Sequence, residues 1–188
     1  MHQQLTLFDL PEPRRARFNR FYAVLPDPSS AAQIATLAAA IREKHGLRGA
    51  LRPVSHLHVS LHGLGSVDVS ERWLQLVGQR LAVATRQMPP FEVCFDRVLS
   101  YANKQVKHPV VLTDGSDGNN ELMALHRELR VALGMGKSSF SPHITLLCDT
   151  KDVAAESIEP IRWTVDEVVL IRSEAGEYER LGHWRLGT

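Results

Sequence analysis

The chain of 188 residues carries a formal net charge of +1, with 44% hydrophobic and 23% charged residues, an ordinary balance for a globular protein. No global basic field marks it for nucleic acid, so any polyanion site must be a local patch, to which the nine histidines can add as pH falls. Cys94 and Cys148 make no disulfide framework. No apolar run nears the ~20 residues a bilayer span needs, and the first residues lack an export signal, so a cytoplasmic protein is expected.

Residues 1–17 read as a flexible leader, because "PEPRR" mixes prolines with charge, and a single domain is expected over 18–188. "RFNRFYAVLPD" is a strand-like apolar run ending at Pro26. In "SSAAQIATLAAAIREKHG", Ile34, Leu37, Ala38 and Ile41 recur at helical spacing, with Ser29 or Ser30 as cap and Gly46 as stop. The stretch "SHLHVSLHG" follows as a strand, and its period of two puts His56, His58, Ser60 and His62 on one face and Leu57, Val59 and Leu61 on the other.

Trp73, Leu74, Val77, Leu81 and Ala84 then outline a second amphipathic helix. "FEVCFDRVLSYA" and "HPVVLTD" read as strands, and "NNELMALHRELRVALGMG" as a helix with Leu122, Leu125, Leu129 and Leu133 on one stripe. "SPHITLLCD" is a strand with His143 and Thr145 on one face and Ile144 and Leu146 on the other. Strict alternation puts Cys148 off the face of His143. "WTVDEVVLIRS" and "ERLGHWRLG" close the chain as two strands.

One order thus occurs twice: strand, helix, then a strand bearing His-x-Ser/Thr, over about Arg17–Leu61 and about Pro109–Leu147. Two similar lobes facing each other would bring both pairs to one cleft. Two imidazoles there suit a displacement that needs one base and one acid, since both protonation states are available near neutrality. Hydroxyls two residues along each strand can donate to the non-bridging oxygens of a phosphate held between them. A cyclic phosphodiester fits, because its strained ring needs no metal to react.

With "RFYAVLPD", "LRPVSHLHVSLHGLG", "FSPHITLLCD" and the doubled motif "HVSL" and "HITL", the chain resembles the 2H phosphoesterases, within them the bacterial RNA 2′,3′-cyclic phosphodiesterases, also called 2′-5′ RNA ligases. The resemblance implies an α+β bilobal fold, two pseudo-symmetric strand–helix–strand lobes with antiparallel sheets around a central cleft, a monomer, and a site without cofactor or metal. It implies His58 as proton donor, His143 as proton acceptor, and Ser60 and Thr145 as phosphate-binding residues. The product would be a 2′-phosphate, or a 2′-5′ linkage if an RNA hydroxyl attacks. Ser60 stands where Thr is more usual in these relatives, His62 where an aromatic or small residue is common, and Cys148 where Arg is frequent. Arg52, His56, His62 and Arg172 are further candidates for substrate contact.

Two other classes are open. His56 and His58, with His62 or His143 as a third ligand, could form a zinc site of imidazole ligands, although no Cys-x-x-Cys or His-Glu-x-x-His accompanies them. Alternatively Arg14, Arg15, Arg17 and Arg20, with Lys104, Lys107 and His108, could form patches of a non-catalytic RNA-binding module. Finally, Gln4–Phe8, "QLTLF", resembles the short motif by which bacterial proteins dock on the replication sliding clamp.

Overall fold

A computed structural model describes residues 18–66, 71–101, 106–115 and 119–187. Both expected strand–helix–strand units are present. The first is β1 (Phe18–Val24), α1 (Pro28–Lys44) and β2 (Val59–Gly65), and the second is β4 (His108–Thr113), α3 (Asn120–Ala132) and β5 (His143–Asp149). α2 (Glu71–Arg86) and β3 (Phe91–Ser100) lie between them, and β6 (Glu156–Val165), β7 (Glu167–Glu174) and β8 (Glu177–Arg185) end the chain.

α1 starts two or three residues earlier than the serines suggest. Asp27 is its cap: one carboxylate oxygen accepts from Ser30 N at 2.9 Å and the other from the Ser30 hydroxyl at 3.0 Å, while Pro28 occupies a first-turn position that needs no N–H. The Ser30 hydroxyl also lies 3.1 Å from the Arg162 carbonyl, which ties the start of α1 to β6. Gly46 does end the helix, with φ of +60°.

All pairings are antiparallel, and the strands lie in the order β6-β3-β4-β5-β2-β1-β7-β8. Read outward from the middle, the halves match: β2, β1, β7, β8 on one side and β5, β4, β3, β6 on the other. The expected bilobal symmetry is therefore a two-fold symmetry of one sheet, whose halves join at the single pair Val59↔Ile144.

The run "WTVDEVVLIRS" is divided at Asp166, whose carbonyl accepts from Leu186 N at 2.7 Å. Laid flat, β6 and β7 would stand ~29 Å apart, six strand spacings of ~4.8 Å. Only Asp166 separates them in the chain, so the sheet curls to bring its halves together.

The main core lies on one face of the sheet, where Ile34, Ala38 and Ile41 of α1, Val77 and Leu81 of α2, and Leu122, Leu125 and Leu129 of α3 meet Tyr22, Val59, Leu61, Ile144, Leu146 and Leu170. The helices cross between halves: α1 packs on β5 and β6 of the opposite half, and α3 bridges the two, on β2 of the opposite half and β3 of its own. A small cluster of Phe21, Ala23, Val169 and Ile171 occupies the opposite face. That face carries the candidate site.

The connection into β2 is fixed to β5. Asp149 is buried, and its carboxylate accepts from Arg48 N at 2.6 Å, Gly49 N at 2.7 Å and Lys151 N at 3.0 Å. Backbone hydrogen bonds to its charged form, led by that from Lys151, hold its pKa down to about 2. Gly49 sits so close to β5 that a Cβ would come within 2.2 Å of the Cys148 carbonyl oxygen, so no larger residue fits without moving the strand.

Two buried histidines load the core beneath the site. His62 stacks on His126 at 4.1 Å between ring centroids, and His126 on Phe140 at 4.2 Å. His62 Nε2–H donates to the His126 carbonyl at 2.8 Å. Burial, then the neighbouring charges of His62 and Arg130, push the His126 pKa down to about 4. Its folded value is below the unfolded ~6.5, so its contribution is full above that pH and is lost as pH falls from 6.5 toward 4. The expected loss is on the order of 2–3 kcal/mol. Urea unfolding at several pH values should show this slope in the wild type and a flatter one in His126→Phe.

Candidate active site

The two His-x-Ser/Thr motifs meet at the seam of the sheet. The pair Val59↔Ile144 sets the register: one step either way in an antiparallel ladder places His58 across from Thr145 and Ser60 across from His143. Val59 and Ile144 are fully buried in the helix-covered core, so the four polar side chains stand on the other face. Ser60 is exposed there, and His58, His143 and Thr145 are half-buried.

Each imidazole is held by the same device. His58 Nδ1–H donates to the His56 carbonyl at 2.8 Å, and His143 Nδ1–H donates to the Ser141 carbonyl at 2.8 Å. A carbonyl can only accept, so in both neutral rings the proton sits on Nδ1 and the lone pair on Nε2. His58 Nε2 lies 3.0 Å from the Ser60 hydroxyl, which can donate to it. Phe21, at 4.8 Å between ring centroids, and Tyr178, at 5.7 Å, pack on His58, while Tyr101 packs edge-on to His143 at 5.2 Å. Tyr101 is itself held by its hydroxyl to Thr113 Oγ1 at 3.3 Å, and Thr113 donates to the Pro142 carbonyl at 2.8 Å.

The His58 pKa is lowered, chiefly by burial, with the positive charges of Arg52, His143 and His56 adding to the effect. The register at the seam brings the two rings to one small site. Such a site can move a proton at each of two Nε2 atoms and offers two hydroxyls to the group between them.

The alternation read from the sequence fails in both strands at equivalent positions. In β2, Ser60 pairs with Ala23 but His62 with Tyr22, so Leu61 is an extra, bulged residue. In β5, Thr145 pairs with Val111 but Leu147 with Val110, so Leu146 is the bulge. Each bulge reverses the faces beyond it. His62 is therefore corrected: it is buried against His126 on the core side and is no substrate contact. Cys148, conversely, lies on the cleft side, where alternation had excluded it.

His56 is corrected in its setting. It belongs to a short 3-10 turn, Val54–His56, before β2 starts, so strand alternation does not place it. It still borders the site, stacked on Tyr178 at 4.1 Å, and with Arg52, Pro53, Lys107 and Cys148 it lines a cleft of about 480 Å³. Tyr178 and Tyr101 were missed by the sequence reading, which placed Cys148 on the wrong face. Strand periodicity alone cannot say which distant aromatic closes a cleft.

Arg172 is also corrected. It pairs with Arg20 across β1 and shares the face of Leu170 and Tyr22, away from His58. Its guanidinium lies over the Phe18 ring and pairs with Glu174 at 2.5 Å and Glu179 at 3.8 Å. His108 is engaged with Asp152 at 2.6 Å, and Arg20 lies over Phe18. Gln4–Phe8, Arg14, Arg15, Arg17 and Lys104 lie outside the described residues. For the zinc alternative, His62 is buried on the core side, and among the described residues, His143 included, no cluster of three or more His, Cys, Asp or Glu could hold a metal ion.

Residues 26–177 match the family described as the 2′-5′ RNA ligase superfamily. Among solved structures, E. coli LigT complexed with 3′-AMP aligns with a TM-score of 0.72 at 23% identity, over 90% of this chain and 98% of that one. E. coli LigT complexed with ATP aligns with a TM-score of 0.63 at 26% identity, again over 90% and 98%. The structure of Kluyveromyces marxianus Usb1 aligns with a TM-score of 0.52 at 13% identity, over 90% and 99%. No curated protein matches the chain. Among the described residues no helix is long and apolar enough to cross a membrane.

Proposed function

Since the chain belongs to the 2′-5′ RNA ligase superfamily, we propose that it opens the 2′,3′-cyclic phosphate ends of RNA or nucleotides to 2′-phosphomonoesters by two-histidine acid–base catalysis. The observation that carries this reading is the paired imidazoles at the sheet seam, each locked by a carbonyl at Nδ1 and interleaved with a hydroxyl. The binding of 3′-AMP and of ATP by E. coli LigT favours a nucleotide-bearing substrate.

In the forward reaction His143 Nε2 takes a proton from water as its oxygen attacks phosphorus. The bond from phosphorus to the 3′-oxygen breaks, and His58 Nε2–H gives that oxygen its proton. The 2′-ester survives. Ser60 and Thr145 donate to the non-bridging oxygens, where negative charge grows in the transition state. Donation requires a charged His58, which its surroundings disfavour in the free protein. The anionic phosphate offsets this once bound, since an opposite charge within a few ångströms raises an imidazole pKa. Replacing water by an RNA 5′-hydroxyl at the same position gives a 2′-5′ linkage without further machinery.

Product identity is the test. An oligonucleotide with a 2′,3′-cyclic end should yield a 2′-phosphate and a free 3′-hydroxyl; a 3′-phosphate, or no turnover by the folded protein, would overturn the reading. The pH profile adds a check. The lower of the two macroscopic pKa values in kcat/KM cannot exceed that of His58, so the acidic limb is expected below 6.5 whichever histidine is the acid. Arg52→Gln removes one cause of the depression and should move that limb upward. A limb at or above 6.5 in the wild type would contradict the assignment.

A further inference from the structure

α3 and the connection from it to β5 enclose a second cavity, of about 320 Å³, outside the catalytic face. Met123, His126, Arg127 and Arg130 form one stripe of α3 at spacings of three and four residues, and Lys137 and Ser138 close the far side. Three cations thus surround one small space. No carboxylate lines it, and among the described residues none of the three cations is in an ion pair. The two acids of α3, Glu121 and Glu128, are off the stripe. Arg130 Nη1 instead approaches the Met135 carbonyl at 3.5 Å, which braces the loop. In a chain of net charge +1 this is a concentrated positive spot.

The cavity adjoins the machinery along the chain. Phe140, stacked on His126, lines it, and the next residue is Ser141, whose carbonyl locks His143. From Phe140 to His143 the backbone spans at most ~11 Å. One lining residue of the cavity thus lies within ~11 Å of the His143 backbone, a span of the order of a few nucleotides.

We propose that this cavity holds a backbone phosphate of an RNA strand whose cyclic end lies between His58 and His143; the inference rests on the activity proposed above. Phosphate contacts of this kind position a strand without reading its sequence. The site therefore separates oligonucleotides from mononucleotides as substrates.

The test is the double substitution Arg127→Gln with Lys137→Gln, both at exposed positions where refolding is not at stake. KM for an oligonucleotide with a cyclic end should rise several-fold with kcat little changed, while both constants for a mononucleoside 2′,3′-cyclic phosphate stay at wild-type values. Binding of an oligonucleotide with a 2′-phosphate end, followed against salt, should lose about one unit of slope in log K against log salt. Equal effects on both substrates would overturn the proposal, since the cations would then act through the His143 loop. So would unchanged oligonucleotide constants. Inorganic phosphate that saturates the cavity without competing with the oligonucleotide would mark a site for a small free anion and also overturn it. If the wild type turned over neither substrate, the catalytic reading would fail, and the binding arm alone would decide the cavity: a lost salt slope supports it, an unchanged one sinks it.

Discussion

His58→Ala and His143→Ala are each expected to lower kcat on a 2′,3′-cyclic end by about 10²–10⁴-fold, the usual contribution of a positioned acid or base. Neither ring is part of the main core, and each is half-exposed, so the folded state should survive. A double variant should lose little more than the worse single one, because the two rings act in one step. The acid and base can be told apart by leaving group. On an aryl phosphodiester that expels nitrophenoxide, no proton need be delivered to the departing oxygen. His58→Ala should recover much of its deficit there and His143→Ala should not. The opposite pattern would exchange the two roles, and full activity in either variant would remove that histidine from the mechanism.

The second large effect is on stability. Asp149→Ala would strip the shared acceptor from Arg48, Gly49 and Lys151 N–H groups in a site with little room for water. Hydrogen bonds to a charged group are worth ~1.5–3 kcal/mol each, and unpaired donors add to the loss, so a cost of about 3–5 kcal/mol follows. For a chain of this size that lowers Tm by roughly 10 °C. Asp149→Asn keeps one acceptor oxygen and should fall between. The wild-type carboxylate has a folded pKa near 2, below its unfolded ~3.9, so its support holds above pH 4 and is lost as pH falls from there toward 2. A Tm within 3 °C of wild type for Asp149→Ala would show that the connection into β2 is held by something else.

Much of the architecture was legible because the apolar spacing is regular. Leu122, Leu125 and Leu129 announce α3, and Ile34, Ala38 and Ile41 announce α1, because one helical stripe must be buried. The doubled motif announced the symmetry. What escaped was local backbone irregularity. Leu61 and Leu146 look like ordinary members of an alternating strand, and no residue type marks them as bulges. Their consequence, His62 inward and Cys148 outward, could not be read from a period of two. Arg172 was misjudged because the partner of its strand, and hence its face, is fixed by β1 far away in sequence. The packing of α1 on the opposite half is likewise a property of the packed sheet rather than of any segment.

The matching bulges and the matching carbonyl locks give the cleft nearly palindromic reactive parts. The proposed substrate, a cyclic ribose phosphate, is not palindromic: it has a 2′ side and a 3′ side, and only one of the two bonds would be cut. Whatever chooses between the two placements must come from parts that were not duplicated. On the His58 side stand the His56–Tyr178 stack, Arg52 and Lys107; on the His143 side stands Tyr101 braced by Thr113. In the proposed reaction, regiochemistry would then fall to the flanks and reactivity to the repeat, and a chain with both flanks made alike would seat a cyclic phosphate in two opposed directions and release a mixture of isomeric phosphates.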